Sequence, residues 1–491
     1  MITNLIIPMA GMGSRFVREG YKVYKPFLKC HNKKTVIENI INNFDVNTKK
    51  FFIVSKSLDQ KYINKLKKIT KSKIIYINKH KLGPAYSLYE ARNEIKKLKN
   101  IYVSYSDINW KWEKKKLIHN KNIIFTFKGW HPYTYNSNNY AFCKVYKNKL
   151  LRIKEKSSFT KNWQSEPLSI GLFYYKNSND LLLSLDKILK KNIKTNNEFF
   201  PSEGFNFIKK NSHIKYVNSF VHLGAPKYYE QYIDIERFFS IYKNFQKKIK
   251  KYNLANKIII PAAGMSERFR KEGIKVPKHI FFIKIFRKTM IDYISSFLPS
   301  MNKTLITINS KYNKKIDKKK YNIFNLYKKT KGQADTVYNY LEKFNLKDSF
   351  FINSCDVFSI FNLKKYKTLV KKSDIIVFAS KKSFIELPEK SYSWVEIYKD
   401  KLKNIYIKNK PKENLKILTG NFYFKNKSIF IKSYKKIKKE KKEIFIDDLI
   451  SEALKLNLKV NVIIDDVYIN LGTPTLLKNF IFWNNLFNKS R

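Results

Sequence analysis

Short apolar runs alternate with longer amphipathic stretches along the chain. In the first half, these runs predict buried strands at Leu5–Ile7, Phe51–Val54, Ile74–Ile77 and Ile101–Val103. The stretches between them predict helices such as Val36–Asn43 and Leu58–Lys68. In the second half, strands are predicted at Ile258–Ile260, Thr304–Ile308 and Phe350–Ile352. Strands that alternate with helices favour a mostly parallel sheet covered on both faces.

The second half of the chain repeats the first. The string LIIPMAGMGSRF at Leu5–Phe16 returns as IIIPAAGMSERF at Ile258–Phe269. The separation is 253 residues for Gly11/Gly264, Arg15/Arg268 and Lys25/Lys278, 249 for Gly83/Gly332, Asp107/Asp356 and Gly171/Gly420, and 248 for Gly224/Gly472. A period this long indicates a duplicated domain. We predict two tandem Rossmann-like α/β/α sandwiches, each with a mostly parallel mixed sheet, over 1–250 and 253–491.

The junction between the copies is predicted from local composition. Glu236–Tyr252 is lysine-rich and amphipathic, which is typical of a closing helix, and the strand Lys257–Ile260 would open the second copy. The length of 491 residues suits two domains, and 43% hydrophobic residues suffice for two cores.

The formal charge of +62 raises the question of nucleic-acid binding. Nine of the 100 basic residues are Arg and the rest are Lys, scattered among Asn, Ile, Phe and Tyr. Base-reading proteins use Arg for bidentate contacts, whereas this pattern is typical of an AT-rich genome. We therefore expect no specific nucleic acid as a partner; a preference for anionic ligands stays open.

The three cysteines, Cys30, Cys143 and Cys355, lack the spacing of a zinc site or a disulfide scaffold. The N-terminus has no basic region followed by a long apolar stretch, and no window approaches the roughly 18 apolar residues of a membrane span. A cytoplasmic protein without a membrane span is the expectation.

A glycine-rich turn follows the first predicted strand of each copy. In the first copy it reads Gly11-x-Gly13-x-Arg15, with Lys25-Pro26 further on. A dinucleotide fingerprint would need a glycine at Phe16, and the Gly-Lys-Ser/Thr of a P-loop is absent. Small residues let backbone amides approach a phosphate closely, and Arg15 and Lys25 can supply positive charge.

The string PMAGMGSRFVREGYKVYKPF resembles the N-terminal signature of the sugar-phosphate nucleotidyltransferases, also called nucleotide-sugar pyrophosphorylases. The resemblance implies the fold of that family, Mg²⁺ as cofactor, and transfer of a nucleoside monophosphate from a nucleoside triphosphate to a sugar 1-phosphate, with pyrophosphate released. It implies catalytic roles for Arg15, Lys25 and Asp107. Asp107 and its counterpart Asp356 are the implied metal ligands at the ends of buried strands.

Further roles follow from the same resemblance. The implied nucleotide-binding residues are Ala10, Gly11, Gly13, Gly83, Gly264, Arg268, Lys278, Gly332 and Gln333. The implied substrate-binding residues are Glu155, Lys156, Gly171 and Glu198. Polysaccharide biosynthesis is the usual role of the family.

Some positions depart from the family pattern. Where many members place a second metal carboxylate before the last glycine, this chain has His222 in the first copy and Asn470 in the second. In the second copy Ser266 replaces a glycine, His279 replaces a proline, and Ile407-Lys408 stands at the place of Glu155-Lys156. We expect the first copy to be the catalyst, and the second, which is partly divergent, to be either an active site for a different acceptor or a retained partner without activity.

Three other functions remain compatible with the sequence. The same chemistry could act on phosphocholine or another alcohol phosphate. A nucleotide-sugar glycosyltransferase would commonly carry Asp-x-Asp, and Asp107-Ile-Asn109 is half of that motif. A non-catalytic nucleotide-binding protein is the third. The sequence does not select the nucleotide or the acceptor, and it leaves open a pseudo-dimer of the two copies.

Overall fold

The computed structural model describes residues 2–11, 13–69, 72–112, 118–134, 138–381, 388–411, 413–437 and 441–487. The chain divides into two compact units. Unit 1 is Met1–Arg237 with Phe482–Arg491, and unit 2 is Phe238–Ile481. The helix Pro226–Lys250 therefore holds the last residues of the first segment of unit 1 and the first residues of unit 2. The limits 1–250 and 253–491 remain a prediction about where the repeats begin and end.

The described part of unit 1 has eleven strands, nine of which form one sheet. The strands are β1 (Asn4–Pro8), β2 (Lys49–Ser55), β3 (Ser72–Ile77), β4 (Lys99–Ser104), β5 (Ile108–Lys111), β6 (Asn122–Phe127), β7 (Phe142–Tyr146), β8 (Lys149–Lys154), β9 (Leu168–Asn177), β10 (Ser212–Tyr216) and β11 (Ser219–His222). The order in the sheet is β3-β2-β1-β4-β9-β6-β10-β8-β7, and β5 pairs with β11 separately. All four strands predicted in this half are confirmed.

Six of the first seven strands in this order run in the same direction. β1 to β4 are mutually parallel and β6 is parallel to β10, whereas β9 is antiparallel to both β4 and β6. The mostly parallel mixed sheet is confirmed. The direction of β9 could not be inferred from its apolar run, because burial on both faces is the same for either direction.

Helices cover the sheet of unit 1. They are α1 (Ser14–Arg18), α2 (Val36–Ile41), α3 (Gln60–Ile69), α4 (Pro84–Glu90), α5 (Arg92–Ile95), α6 (Ser178–Lys190), α7 (Pro201–Ile208) and α8 (Pro226–Lys250). Their ends have local causes. Thr35 begins α2 as a capping box, since its hydroxyl accepts from the Glu38 amide and the Glu38 carboxylate accepts from the Thr35 amide.

Unit 2 repeats this architecture. Its strands are β12 (Lys257–Pro261), β13 (Phe282–Ile283), β14 (Lys288–Thr289), β15 (Lys303–Ile308), β16 (Tyr321–Leu326), β17 (Phe350–Asn353), β18 (Val357–Phe361), β19 (Ile375–Ser380), β20 (Trp394–Tyr398), β21 (Lys401–Tyr406), β22 (Lys416–Phe424) and β23 (Val460–Asn470). Its helices are α9 (Glu267–Lys271), α10 (Met290–Ser295), α11 (Gln333–Lys343), α12 (Leu363–Val370), α13 (Lys427–Lys435), α14 (Ile446–Lys455) and α15 (Pro474–Phe487), the last of which ends in unit 1.

The strand order of unit 2, β16-β15-β12-β17-β22-β19-β23-β21-β20, matches that of unit 1 strand for strand. β22 takes the place of the antiparallel β9, and β23 runs through the places of β10 and β11 as one long strand. The two Rossmann-like α/β/α units predicted from the repeat are thus present, and positions in one unit can be compared with those in the other.

Alternation along the strands fills a core on each side of the sheet. In unit 1, Ile6, Ile53 and Val103 face one core with Leu88 of α4 and Leu185 of α6. On the other side the ring of Tyr102 packs against Phe44 and Tyr174. Burying both faces leaves the strand ends as the places where polar groups can collect. Among the described helices none is long and apolar enough to cross a bilayer.

Candidate functional site

The centre of the unit 1 site is Asp107, between β4 and β5. β5 pairs antiparallel with β11 in a register that sets Ile108 opposite His222. This pairing brings the His222 Nε2 atom to 3.4 Å from the Asp107 Oδ2 atom. Residues 115 positions apart in sequence therefore meet because the two short strands that carry them are paired.

Lys25 completes this centre. It begins a single 3₁₀ turn, Lys25–Phe27, and its Nζ donates to Asp107 Oδ2 at 2.7 Å. Burial opposes ionisation of Asp107, but the charges of Lys25 and His222 outweigh it and hold the pKa of Asp107 well below its usual range. Asp107 is therefore a carboxylate at any working pH.

The glycine-rich turn adjoins this centre. Gly13 adopts φ 61° at the start of α1, and a Cβ there would lie 3.6 Å from the Lys25 Cβ. A Cβ on Gly11 would meet no atom within 4 Å, so the turn borders open space. Ala10 is buried behind the turn and Arg15 is exposed on α1. The described part of this turn has room beside it for a phosphate chain.

Unit 2 has the same centre. Lys278 Nζ donates to Asp356 Oδ2 at 2.5 Å. Burial disfavours the charge of Lys278, yet Asp356 outweighs burial and raises the pKa of this lysine. Ser266 adopts φ 56° where Gly13 adopts φ 61°. Its hydroxyl accepts from the Lys278 amide at 2.9 Å, which helps to hold a conformation that few side chains adopt.

A cleft of about 700 Å³ opens at the centre of unit 2, a size that suits a small-molecule ligand. Six residues predicted for unit 2 line it: Gly264, Arg268, Lys278, Gly332, Gln333 and Asp356. Its wall also includes Lys408 and Asn470, which stand at positions that depart from the family pattern. Ser354, Glu443 and Phe445 line it as well, and the sequence did not single these out. The motifs predicted in unit 2 thus converge on one cavity.

Gly83 precedes α4 at a close backbone contact. It has φ 87°, and a Cβ there would lie 2.7 Å from the Phe199 carbonyl oxygen and 2.9 Å from the Glu198 Cβ. Gly332 precedes α11 in the same way, and its Cβ would lie 2.4 Å from the Ile444 carbonyl oxygen. These positions need glycine. They also place Glu198 beside the glycine loop in unit 1, as Glu443 is placed in unit 2.

Glu155 and Lys156 follow β8. The Glu155 amide donates to Glu203 at 2.8 Å, and the Ser202 hydroxyl donates to the Glu155 carboxylate. Burial raises the pKa of Glu155 to about 7, and the negative charge of Glu203 adds to that rise, while the Ser202 hydrogen bond opposes it. The Lys156 Nζ lies 4.7 Å from the centre of the Phe200 ring. Glu155 is thus held by two residues of α7, and Lys156 lies against the residue that precedes this helix.

Gly171 is covered by a side chain. It has φ 83°, and a Cβ there would collide with the ring of Tyr105. The backbone amide of Tyr105 donates to the Gly171 carbonyl at 2.9 Å. In unit 2 the same place above Gly420 is taken by the hydroxyl of Ser354. The glycine is needed for this packing, and a contact between Gly171 and a sugar remains a prediction.

No family model matches this chain, and no curated protein sequence matches it. Solved structures are similar to about half of it. A nucleoside-diphosphate-sugar pyrophosphorylase from Vibrio cholerae RC9 has 22% identity over 47% of this chain and 99% of its own, with a TM-score of 0.39. An inositol-1-phosphate CTP transferase from T. maritima has 18% identity over 47% and 94%, with a TM-score of 0.39.

A CTP:phosphocholine cytidylyltransferase from Streptococcus pneumoniae has 17% identity over 48% of this chain and 98% of its own, with a TM-score of 0.37. These proteins are of the class that the sequence motifs resemble. At 17–22% identity these three structures show a similar fold and no more.

Asp107 and Asp356 are the candidate ligands for a divalent metal ion. Among the described residues, no group of three or more His, Cys, Asp or Glu side chains is placed to hold an ion. Mg²⁺ is commonly held by one or two carboxylates and by the phosphates of its substrate. Asp107 and Asp356, each paired with a lysine beside a glycine turn, fit that requirement once a triphosphate supplies further oxygens.

We expect Gly224→Ala to reduce activity in unit 1 without unfolding the protein. Its Cβ would lie 2.8 Å from Asp107 Oδ2 and 2.5 Å from His222 Cε1, so one of these side chains must move. Ala225→Gly, which adds no atom to the same turn, is the control. Turnover and Tm measured for both variants check this, and unchanged turnover in Gly224→Ala would contradict the placement of Asp107.

Proposed function

We propose that this protein is a nucleotidyltransferase that joins a nucleoside monophosphate from a nucleoside triphosphate to a sugar 1-phosphate. The observation that carries the proposal is the lysine–aspartate pair at the strand ends, beside an open glycine turn, in both units. A positive charge, a carboxylate and exposed backbone amides are the groups that phosphoryl transfer needs. Unit 1 carries the catalytic and substrate-binding residues that the family resemblance implies, with His222 at the place of the second metal carboxylate.

The reaction is an in-line displacement. A phosphate oxygen of the acceptor forms a bond to the α-phosphorus while the bond from the α-phosphorus to the bridging oxygen of the β-phosphate breaks. The electron pair leaves with pyrophosphate. Because a phosphate monoester is already ionised at neutral pH, no strong general base is required. Catalysis then depends on positioning and on neutralising charge.

The residues of unit 1 divide these tasks. The amides of Gly11 and Gly13, with Arg15, bind the β- and γ-phosphates. Lys25 stabilises the charge that develops near the α-phosphate. Mg²⁺, which Asp107 would hold, neutralises charge on the triphosphate when it is bound.

The acceptor is bound on the opposite side of the unit 1 site. Lys156 takes the acceptor phosphate, and Glu155 takes a hydroxyl of the sugar. Glu198 lies beside the glycine loop that begins α4, where the nucleobase is expected. A cellular role in supplying activated sugars for polysaccharides is part of this proposal.

The test is product formation by the wild-type chain with Mg²⁺, each of the four common nucleoside triphosphates, and a panel of sugar 1-phosphates and phosphocholine. We expect pyrophosphate and a nucleotide-linked acceptor in equal amounts, and neither after chelation of the metal. Release of nucleoside diphosphate and inorganic phosphate, without a nucleotide-linked acceptor, would contradict transfer.

A pH dependence is expected for the acceptor in unit 1. Because the pKa of Glu155 is raised to about 7, the carboxyl is largely neutral below pH 7 and becomes a carboxylate above it. A carboxylate accepts stronger hydrogen bonds from hydroxyls than a neutral carboxyl does. The acceptor KM should therefore fall as the pH rises through about 7.

Glu155→Gln is the matched variant because Gln does not titrate. The ratio of its acceptor KM to that of the wild type should grow as the pH rises from 6 to 8. Both proteins share the ionisation of the substrate phosphate, so that ionisation cancels in the ratio. A constant ratio would contradict the contact between Glu155 and the acceptor.

A further inference from the structure

The lysine of the acceptor pair occupies the same structural position in both units. Lys156 follows β8 with φ 50°, and Lys408 follows β21 with φ 52°. The Lys156 Nζ lies 4.7 Å from the centre of the Phe200 ring, and the Lys408 Nζ lies 4.3 Å from that of Phe445. The residue before the lysine differs, since Ile407 has no carboxylate where unit 1 has Glu155.

A carboxylate is supplied to this region of unit 2 from another element. Phe199 of unit 1 is equivalent to Ile444 of unit 2. The Phe199 carbonyl accepts from the amide of Ala85, the second residue of α4, and the Ile444 carbonyl accepts from the amide of Ala334, the second residue of α11. Counting three residues on, Asp447 of α14 stands where unit 1 has Ser202. In unit 1 the hydroxyl at this position reaches the Glu155 carboxylate.

The support for this carboxylate is also built into unit 2. The Ser393 hydroxyl, just before β20, donates to Asp447 Oδ2 at 2.5 Å. Unit 1 has Ala141 at the corresponding position before β7, so it has no such donor. The absence of the glutamate in unit 2 is therefore accompanied by a carboxylate in place of the Ser202 hydroxyl and by a hydroxyl in place of the Ala141 methyl, and these two new groups contact each other.

The lysine and the aromatic ring of this region line the nucleotide cleft. Lys408 and Phe445 line the same cavity as Lys278 and Asp356. The charge of Lys408 acts on Asp447, whose pKa is raised to about 6 by burial in spite of the Ser393 hydrogen bond and of that lysine. Asp447, two residues beyond Phe445, therefore interacts electrostatically with a cation that lines the cleft.

The other side of the cleft differs from unit 1 as well. Gln333 Nε2 donates to Ser354 Oγ at 2.8 Å, and both residues line the cavity. Unit 1 has Pro84 and Tyr105 at these positions. The two units share the lysine–aspartate centre and differ in the groups around it, which is the pattern expected of two sites that bind different ligands.

We propose that unit 2 has an acceptor site of its own, in which Asp447, held by Ser393, binds a hydroxyl and Lys408 binds the phosphate of a hydroxyl-bearing phosphate ester. This acceptor differs from that of unit 1. The inference rests on the proposed nucleotidyltransferase function. Of the two roles that the sequence leaves open for the second copy, it selects an active site for a different acceptor.

The test uses the full chain with Lys25→Ala, which silences unit 1. Pyrophosphate release is measured with the four nucleoside triphosphates and with α-D-glucose 1-phosphate, α-D-mannose 1-phosphate, glycerol 3-phosphate and phosphocholine. We expect release with a hydroxyl-bearing ester and none with phosphocholine, which has no hydroxyl outside its phosphate.

Asp447→Asn in this background should raise the acceptor KM about tenfold or more, as expected for the loss of a charge-assisted hydrogen bond. The KM of the triphosphate should stay within about twofold. Ser393→Ala should raise the acceptor KM by a smaller factor, and it serves as the second variant if Asp447→Asn does not fold. Asp317→Asn, at an exposed carboxylate, should change neither constant.

Several results would overturn this proposal. One is an unchanged acceptor KM in both Asp447→Asn and Ser393→Ala, and another is an equal rise in the KM of the triphosphate. If Lys278→Ala protein releases pyrophosphate and Lys25→Ala protein does not, unit 2 has no acceptor site while the proposed function stands. If neither protein nor the wild type releases pyrophosphate, the proposed function fails as well.

Discussion

Replacing Lys25 with alanine is expected to lower kcat in unit 1 by about 100-fold or more, the loss typical of a group that stabilises developing charge. The Lys25 Nζ lies 2.7 Å from Asp107 Oδ2, and the lysine side chain is 19% exposed, so its charge acts in a site largely shielded from water. The KM of the triphosphate should change far less, because Arg15 and the turn amides still bind the outer phosphates.

Three variants make this prediction specific. Lys22→Ala removes a nearby exposed lysine and should leave kcat unchanged. Lys25→Arg keeps the charge but replaces a compact ammonium with a planar fork, and it should restore little of the lost rate. Lys278→Ala should leave the reaction of unit 1 unchanged. Near-normal turnover in Lys25→Ala, measured by pyrophosphate release, would remove Lys25 from the chemistry.

Replacing Asp107 with asparagine is expected to have an effect of similar size through the metal. The amide keeps the shape of the side chain and removes its charge, so binding of Mg²⁺ should weaken and kcat/KM should fall by about 100-fold or more. The substitution also leaves the ammonium of Lys25 without its partner, which should lower the free energy of unfolding by about 2 kcal/mol.

The Mg²⁺ concentration that gives half-maximal activity is the measurement that separates these effects. It should rise strongly in Asp107→Asn and stay at the wild-type value in Asp59→Asn, where the carboxylate is half exposed and pairs with Lys61. A Tm measured without metal gives the structural effect alone. An unchanged Mg²⁺ requirement in Asp107→Asn would show that another group holds the metal.

The sequence predicted the parts of this protein that depend on local pattern. Apolar runs located the strands, and the nearly constant separation of pairs such as Gly11/Gly264 and Asp107/Asp356, 253 and 249 residues, indicated the duplication. The glycine turns could also be located from the sequence, because only small residues fit there. The structure brings Lys25 to Asp107 and Lys278 to Asp356, and the roles that the family resemblance implies for these residues remain predictions.

Contacts between distant residues could not be predicted in this way. Ile407 at the place of Glu155 indicated that the acceptor region of the second copy lacks a carboxylate. An alignment of the two copies compares one position with one position, so it cannot show a carboxylate supplied from elsewhere in the chain. Asp447 lies 40 residues further on, on a helix, and it meets the Lys408 region only when the sheet and α14 are packed. The same limit hid Tyr105, which covers Gly171 across two antiparallel strands.

Pyrophosphate release by the double variant Lys25→Ala/Lys278→Ala, compared with the wild type and with each single variant, tests most directly that each unit is a nucleotidyltransferase site. We expect the wild type to use two different substrate pairs, each single variant to lose one of them, and the double variant to lose both while keeping its Tm. Turnover in the double variant equal to that of the wild type would contradict the account.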